Sequence, residues 1–434
     1  MYIKKITTTL ALFLGVSVTL YAQNPEKSAK EKAFLTAYHE RDSIKVIELG
    51  EAFLKDYPES KADFKADKAA GISYSKIYMN LITRAKVGVD TKIKHYYDQL
   101  NYFTTVELYY RQVYLFHLHK LKPAEVLLPR SEVLLKKLNY FRAHKPVEMT
   151  DIPEDQWLKT SESNYFGDLL THISLLRVTG HTQEALTIAD EALSHYGYTI
   201  ASLNEDVVLL LKTAGLEEKL KKALENSVHA NQATVPMLDM LREIYLASNK
   251  DSNDFEAYVE SLKSQEGKED QAKEIAASMI KKKIPTFALS DSKGQLIDTK
   301  NLKGKIVILD FFASWCVPCK AAFPGMKMAM EKLADQKDVV FYYIDNQEHG
   351  GDYKTTVMKY MKDNNFPFNV LFDNIGTKGM NNEVVNLLGI TAIPRKMILD
   401  KNGYVRFDTD SYWGSPSKLA DEIKIVVDLI KKEG

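Results

Sequence analysis

Cys316 and Cys319 are the only thiols in the 434-residue chain, and two residues separate them. A Cys-x-x-Cys pair serves either as half of a metal site or as a redox-active dithiol. A structural zinc site normally takes four protein ligands. The chain has no third cysteine, although His349 could supply one further ligand. A purely structural disulfide would close a loop too short to constrain the unfolded chain much. We therefore favour a redox-active Cys316–Cys319 disulfide, with no metal and no separate cofactor.

The residues around the pair fit a redox mechanism. The apolar run Ile306 to Phe312 is rich in β-branched residues and predicts a buried strand, so that Cys316 would open the following helix. Free N–H groups and the helix dipole at that end stabilise a thiolate, which makes Cys316 the attacking nucleophile. Pro318 fits the first helical turn, where its missing N–H costs nothing. Cys319 then attacks the mixed disulfide and releases the reduced partner.

Residues 281–434 predict an α/β domain that positions this pair. The further strand candidates are Val339 to Ile344, Asn369 to Phe372, Lys396 to Leu399 and Tyr404 to Phe407. Helical patterns cover Phe323 to Ala334, Lys354 to Asn364, Glu383 to Leu388 and Ser417 to Lys432. Strands that alternate with helices in this way predict a sheet with helices on its faces.

Residues 23–280 predict an all-α region, with a sub-boundary near residues 145–155 where prolines interrupt the helical pattern. Gly180, Ala185 and Ala192 have the spacing of small residues that let two helices approach closely, which resembles the tetratricopeptide repeat. No regular 34-residue register extends across the region. A tetratricopeptide-like region would offer a concave partner-binding face. A helical spacer or a dimerisation module is the alternative.

The N-terminus predicts export. Lys4 and Lys5 precede an uncharged apolar run, Ile6 to Leu20, and cleavage after Ala22 would make residues 1–22 a signal peptide. We expect the product in the bacterial periplasm or cell envelope. Leu20 is a poor match to the small residue expected before a cleavage site, so an uncleaved segment that keeps the protein near the membrane is the alternative. The chain has 58 basic and 58 acidic residues, and we predict no nucleic-acid partner.

The segment Leu309 to Lys320, with its Trp-Cys-Val-Pro-Cys core, resembles the active site of the thioredoxin superfamily. From Ile284 to the C-terminus the pattern is similar to the TlpA/ResA-like extracytoplasmic thiol–disulfide oxidoreductases, so we expect a thioredoxin-like fold. The resemblance implies that Ile393 and Pro394 face the dithiol, with Pro394 in the cis form. A cis-proline exposes the preceding backbone for pairing with an extended substrate.

The resemblance also implies roles for residues near the dithiol. Asp310 lies six residues before Cys316, the spacing of the buried thioredoxin aspartate, and would accept a proton from Cys319. The alternative is an acid that caps a backbone group. Many ResA-like proteins carry a glutamate shortly after the active site, where this chain has alanine, so no carboxylate role carries over there. Trp315 would shield the dithiol and contact partners, or pack structurally.

We therefore predict an exported enzyme, a thiol–disulfide oxidoreductase that acts on protein thiols and disulfides and needs an external electron donor. The Val317-Pro318 dipeptide lacks the histidine of strong oxidants, which favours a reductase over an oxidase or isomerase. A partner-binding helical protein whose dithiol senses or tethers is the competing class. A peroxidase is disfavoured because the Pro-x-x-x-Thr/Ser-x-x-Cys pattern is absent before Cys316.

Overall fold

The structure is a computed structural model. It describes residues 29–62, 70–84, 96–248, 251, 254–348, 352–373, 382–410, 412 and 414–433. The predicted signal peptide and His349 lie outside these residues. The chain forms two compact units that divide between His172 and Ile173, within one helix. Nothing in this division tests the domain limits drawn from sequence, which stay predictions. Among the described helices, none combines the length and apolarity needed to cross a membrane.

The first unit is helical in its described parts. Its helices are α1 (Ala29–His39), α2 (Ser43–Asp56), α3 (Ala70–Arg84), α4 (Tyr102–Tyr109), α5 (Leu115–Leu118), α6 (Ala124–Ala143) and α7 (Glu154–Val178), which continues into the second unit. A π-helical turn, Tyr110–Tyr114, joins α4 to α5. Buried aromatic rings fill the space between helices: Tyr102 contacts Trp157 and Phe141 edge to face, with centroids 4.7 and 5.7 Å apart.

The second unit begins with six further helices. They are α8 (Thr182–Tyr196), α9 (Ala201–Thr213), α10 (Glu217–His229), α11 (Val235–Ser248), α12 (Phe255–Leu262) and α13 (Gln265–Ser278). Ala185, Ala189 and Ala192 form a buried face of α8, which accords with a close approach of neighbouring helices. The tetratricopeptide-like repeat itself stays a prediction.

An eight-stranded mixed sheet follows. Its strands are β1 (Lys282–Lys283), β2 (Ala288–Asp291), β3 (Leu296–Asp298), β4 (Ile306–Phe312), β5 (Val339–Asp345), β6 (Val370–Phe372), β7 (Arg395–Leu399) and β8 (Tyr404–Thr409), in the order β1-β8-β7-β4-β5-β6-β2-β3. Four helices accompany the sheet: α14 (Val317–Lys332), α15 (Tyr353–Asp363), α16 (Glu383–Leu388) and α17 (Pro416–Glu433). The predicted α/β arrangement is therefore present.

The sheet has an apolar core on each face, and β4 contributes to both. Ile308 and Phe312 point into the core that contains residues of α14, α15 and α17. Leu309 and Phe311 point into the opposite core, which contains residues of α16 and β2. Because both faces of β4 are covered, all seven of its residues are buried. The strand that leads to the cysteines is thus the longest fully buried strand of the sheet.

Candidate functional site

The two cysteines lie where β4 passes into α14, and they are joined by a disulfide. Cys316 is the N-cap of α14 and its sulfur accepts the Cys319 backbone N–H at 3.2 Å. Pro318 lies in the first helical turn, where a backbone N–H has no intrahelical acceptor, so its missing N–H breaks no helical hydrogen bond. Cys316 keeps 3% of its surface exposed and Cys319 only 1%. This position places the outer sulfur at the positive end of a helix, where a thiolate is stabilised.

Asp310 is enclosed in the sheet and faces a lysine. Its neighbour in the antiparallel register with β7 is Lys396, whose Nζ lies 3.3 Å from Asp310 Oδ1. Both side chains are almost fully buried, at 2% and 3% exposure. Burial raises the pKa of Asp310, and the Lys396 charge opposes that rise. Asp310 therefore pairs with a buried cation, and among its described contacts no backbone N–H donates to its carboxyl.

Lys396 has a second acidic neighbour. Glu422 of α17 lies close enough to Lys396 to interact with its charge. Burial raises the pKa of Glu422, and Lys396 counteracts part of this rise. One buried ammonium thus acts on two carboxyls, the buried Asp310 in the sheet and the half-buried Glu422 in α17. Such a group can hold or pass a proton within the sheet, at the buried Asp310.

The peptide bond between Ile393 and Pro394 is cis, and it directly precedes β7. Arg395, the first residue of this strand, forms a bidentate ion pair with Asp408 of β8, with N–O distances of 2.6 and 2.8 Å. This bidentate ion pair fixes the beginning of β7 against β8. Because β7 also carries Lys396 opposite Asp310, the same strand links the proline to the buried ion pair.

The loop before Cys316 is held from the end of β5. Trp315 is 47% exposed, and its Nε1 donates to the Gln347 carbonyl at 2.8 Å. The Glu348 carboxylate accepts the Ser314 backbone N–H and, at 2.7 Å, the Ser314 hydroxyl. Trp315 therefore presents a large apolar surface beside the disulfide while its indole is anchored.

Asp345 ends β5 and lies under this loop, with only 1% of its surface exposed. Burial, with the neighbouring Glu348 carboxyl next in importance, raises the pKa of Asp345 to about 9. A carboxyl in this position carries a proton at neutral pH. The site therefore contains two carboxylic acids of raised pKa, Asp310 in the strand that leads to the dithiol and Asp345 at the end of β5.

The structure places most of the sequence-predicted residues where β4 leads into α14. Asp310 lies in β4, and the start of α14 carries Trp315, Cys316, Pro318 and Cys319. Three contributors were missed from sequence: Lys396, Glu348 and Asp345. A lysine in an apolar strand was a usable signal for Lys396, because a buried charge requires a partner. No local pattern marks the other two. No cluster of three or more metal-binding side chains occurs within the described residues.

Comparison with known proteins is informative for the C-terminal region. Residues 280–408 match the model of the AhpC/TSA family. ResA, a thiol–disulfide oxidoreductase of Bacillus anthracis, is 32% identical over 126 residues, which are 29% of this chain and 66% of that protein. The thioredoxin-like protein YneN of Bacillus subtilis is 28% identical over 144 residues, 33% of this chain and 77% of that protein. This chain thus covers slightly less than two thirds of the ResA sequence.

Solved structures also align with this region. The alignment with StoA from Bacillus subtilis covers 32% of this chain and 96% of the StoA chain, with 22% identity and a TM-score of 0.27. The thioredoxin domain of a thiol–disulfide oxidoreductase from Bacteroides vulgatus covers 36% of this chain and 99% of its own, with 17% identity and a TM-score of 0.28.

Proposed function

We propose that this chain, whose C-terminal region is a thioredoxin-like domain, is an exported thiol–disulfide oxidoreductase that reduces disulfides of protein partners. One observation carries the proposal. A Cys-x-x-Cys disulfide caps a helix directly after a strand that holds a buried aspartate of raised pKa. A disulfide with only a structural role has no need of a buried acid behind it. Relatives named thiol–disulfide oxidoreductase share this part of the chain.

The reaction begins from the reduced dithiol. The Cys316 thiolate attacks one sulfur of the substrate disulfide, which forms a mixed disulfide and releases the first substrate sulfur as a thiol after protonation. Asp310 then takes the proton of Cys319. The Cys319 thiolate attacks the Cys316 sulfur and releases the second substrate thiol, which leaves the intramolecular disulfide of the structure. Two electrons have passed to the substrate, and an external dithiol donor must return the enzyme to its reduced form.

The residues between the cysteines support electron flow from this protein to its substrate. Val317 and Pro318 supply no positive charge to stabilise a Cys316 thiolate further. A less stabilised reduced form gives a lower potential, which makes the module a reductant. We expect a reduction potential of about −250 mV or below, whereas a value near −120 mV would make the protein an oxidase.

The helical region would recruit or orient the protein substrate, and the N-terminal segment would direct export. Lys4, Lys5 and the apolar run behind them support the latter, and the mature chain would then begin at Gln23. N-terminal sequencing of protein recovered from the cell envelope checks the cleavage site.

The central test uses the full chain and its single-cysteine variants. Wild-type protein with dithiothreitol as donor should accelerate insulin reduction, and C316S should abolish that acceleration. In cells, C319S should trap disulfide-linked partners through Cys316, because the resolving thiol is missing. C316S is the matched control, since it removes the nucleophile and should trap none.

Two other functions would give different results. A sensing or tethering protein would bind its partner equally well with both cysteines replaced and would not reduce insulin. The AhpC/TSA match makes peroxide a necessary comparison substrate. Peroxide consumption that is faster than disulfide reduction would replace the proposal by a peroxidase. We expect the reverse order of rates.

A further inference from the structure

Three hydrogen bonds hold the loop before the nucleophile. Glu348 accepts both the backbone N–H and the hydroxyl of Ser314, while the carbonyl of Gln347 accepts the Trp315 indole N–H. Ser314 is two residues from Cys316, and two residues span at most about 7 Å of chain. The carboxylate of Glu348 therefore fixes the backbone that aims Cys316 and places a negative charge near its sulfur.

A second acid lies against this carboxylate. Asp345 is buried and within hydrogen-bonding reach of Glu348, and neither of its carboxyl oxygens accepts a hydrogen bond from any other described group. Two adjacent buried carboxyls cannot both ionise cheaply, so one proton remains between them. The other charges that act on Asp345 are Lys354, which lowers its pKa, and Asp373, which raises it. The phenol of Tyr353 also faces this acid.

We propose that Glu348 and Asp345 are positioning residues, an acid pair that fixes the loop of Cys316 and restrains the reactivity of its thiol through one shared negative charge. This inference rests on the proposed function, because it requires Cys316 to be a redox nucleophile. In the pair, Asp345 keeps the proton and donates a hydrogen bond to Glu348. The Glu348 oxygens therefore remain able to accept from Ser314.

The charge of the pair has a predictable effect on the dithiol. A negative charge near Cys316 disfavours its thiolate, and a less stable thiolate makes the reduced protein a stronger reductant. Above a pH of about 9 the shared proton is lost, since that is the pKa of Asp345. The second negative charge then disfavours the Cys316 thiolate further. It also weakens the attachment of the Ser314 loop to Glu348.

The experiment measures the reactivity of Cys316 in the full chain carrying C319S, so that one thiol remains. The rate of alkylation by iodoacetamide is followed from pH 5 to 10. E348A leaves Asp345 buried and neutral, which removes the charge, and alkylation at pH 7 should become at least about threefold faster. E348Q keeps an oxygen that can accept from Ser314 but carries no charge, so its alkylation rate at pH 7 should rise as that of E348A does.

D345N tests the proton. Its amide donates to Glu348 as the protonated acid does, so the alkylation rate at pH 7 should match the parent, while the step near pH 9 should disappear. E331A is the matched control, since Glu331 is an exposed carboxylate near the far end of α14, about 20 Å from Cys316. It should leave the whole profile unchanged.

Profiles of E348A and D345N that coincide with that of the parent would overturn the inference. So would an E348Q variant that reacts at the parent rate while E348A does not, because that result requires only the hydrogen bonds of Ser314 and not the charge of Glu348. Failure of the proposed function is a separate outcome. It would appear as a wild-type protein that reduces no disulfide, whatever the alkylation profiles of the variants show.

Discussion

Asp310 and Lys396 show how one pair of residues can set the reactivity of the inner cysteine. They face each other across β4 and β7 with almost no exposure to solvent. Burial raises the pKa of Asp310 and so favours its protonated form, which cannot accept the Cys319 proton. The Lys396 charge opposes this rise in the pKa of Asp310 and so favours the ionised base. The pair is therefore better explained by proton transfer than by stability, since buried ion pairs often add little stability.

Replacing Lys396 by methionine should move the pH dependence of disulfide reduction. Without the ammonium the pKa of Asp310 rises further, so the acidic limb of the rate profile should shift upward by about one pH unit or more. Insulin reduction from pH 5 to 9 measures the shift. On the acidic side of the limb, the rate at a given pH should fall about tenfold for each unit of the shift.

D310N is the companion variant, tested together with K396M so that no lysine is buried without a partner. The double variant should lose the Asp310-dependent limb altogether. If K396M and wild type have the same acidic limb, Asp310 is not the proton acceptor.

The residues of the site were predictable from sequence only where neighbours in the chain carry the signal. The cysteines, Trp315 and Pro318 are contiguous, and Asp310 lies a fixed distance before them. Lys396 and Glu348 reach the site through strand pairing and a loop contact, with sequence separations of 86 residues from Asp310 and 34 from Ser314. Such partners follow from the register of β4 with β7 and β5, which no short pattern encodes.

At the scale of elements, the helix that carries the dithiol packs directly against the C-terminal helix. Gly325 of α14 lies where α17 begins: a Cβ built there would be 2.9 Å from the Pro416 carbonyl oxygen and 3.0 Å from its Cα. These are backbone atoms, which cannot move aside as the end of a flexible side chain can. The absence of a side chain at Gly325 therefore permits the close approach of α14 and α17.

G325A should destabilise the folded protein by about 1–3 kcal/mol, because the added methyl overpacks this contact. Denaturant unfolding of the oxidised full chain measures the change. G267A is the matched control in the same unit, since a Cβ at Gly267 of α13 meets only Ser264, with its nearest atom at an ordinary 3.4 Å. It should be neutral or slightly stabilising. Equal losses in the two variants would contradict the close approach.

The sequence pattern predicted which segments form helices and strands better than it predicted where each helix or strand begins and ends. The apolar run Ile306 to Phe312 is the observed β4, and the pattern Glu383 to Leu388 is the observed α16. The apolar pattern of α14 begins only at Phe323, yet the helix starts at Val317. Its start is set by the Cys316 cap and by Pro318, which are local chemistry and not amphipathicity.

At the scale of the molecule, the second unit joins helices to the thioredoxin-like domain. Asp421 of α17 accepts from Lys263, which follows α12, at 2.6 Å, and pairs with Lys332 at the end of α14. Asn231, which follows α10, donates to the same carboxylate at 3.0 Å. The change in composition near residue 281 shows where strands begin, but it does not show which helices pack on the sheet. That depends on these contacts between distant segments.

Asp421 should therefore be a main support of the second unit. Burial alone would raise the pKa of Asp421, but Lys263 and Lys332 outweigh it and lower the pKa from 3.8. A carboxyl with a lowered pKa in the folded state stabilises the fold above its unfolded pKa, and this contribution is lost as the pH falls through the folded value. D421N should then cost about 2 kcal/mol at pH 7, because Lys263, with 5% exposure, would be left with the more exposed Glu260 as its partner.

Denaturant unfolding of the full chain at pH 7 and at pH 3 measures this cost, and the difference between D421N and wild type should shrink at the lower pH. D270N is the control, since Asp270 pairs with Lys273 at 3.4 Å on the exposed surface of α13 and should contribute nothing measurable. If D421N were as stable as D270N, the polar network would not hold the helices to the sheet. Their attachment would then depend on apolar packing such as that of Ile275 of α13 in the core shared with α17.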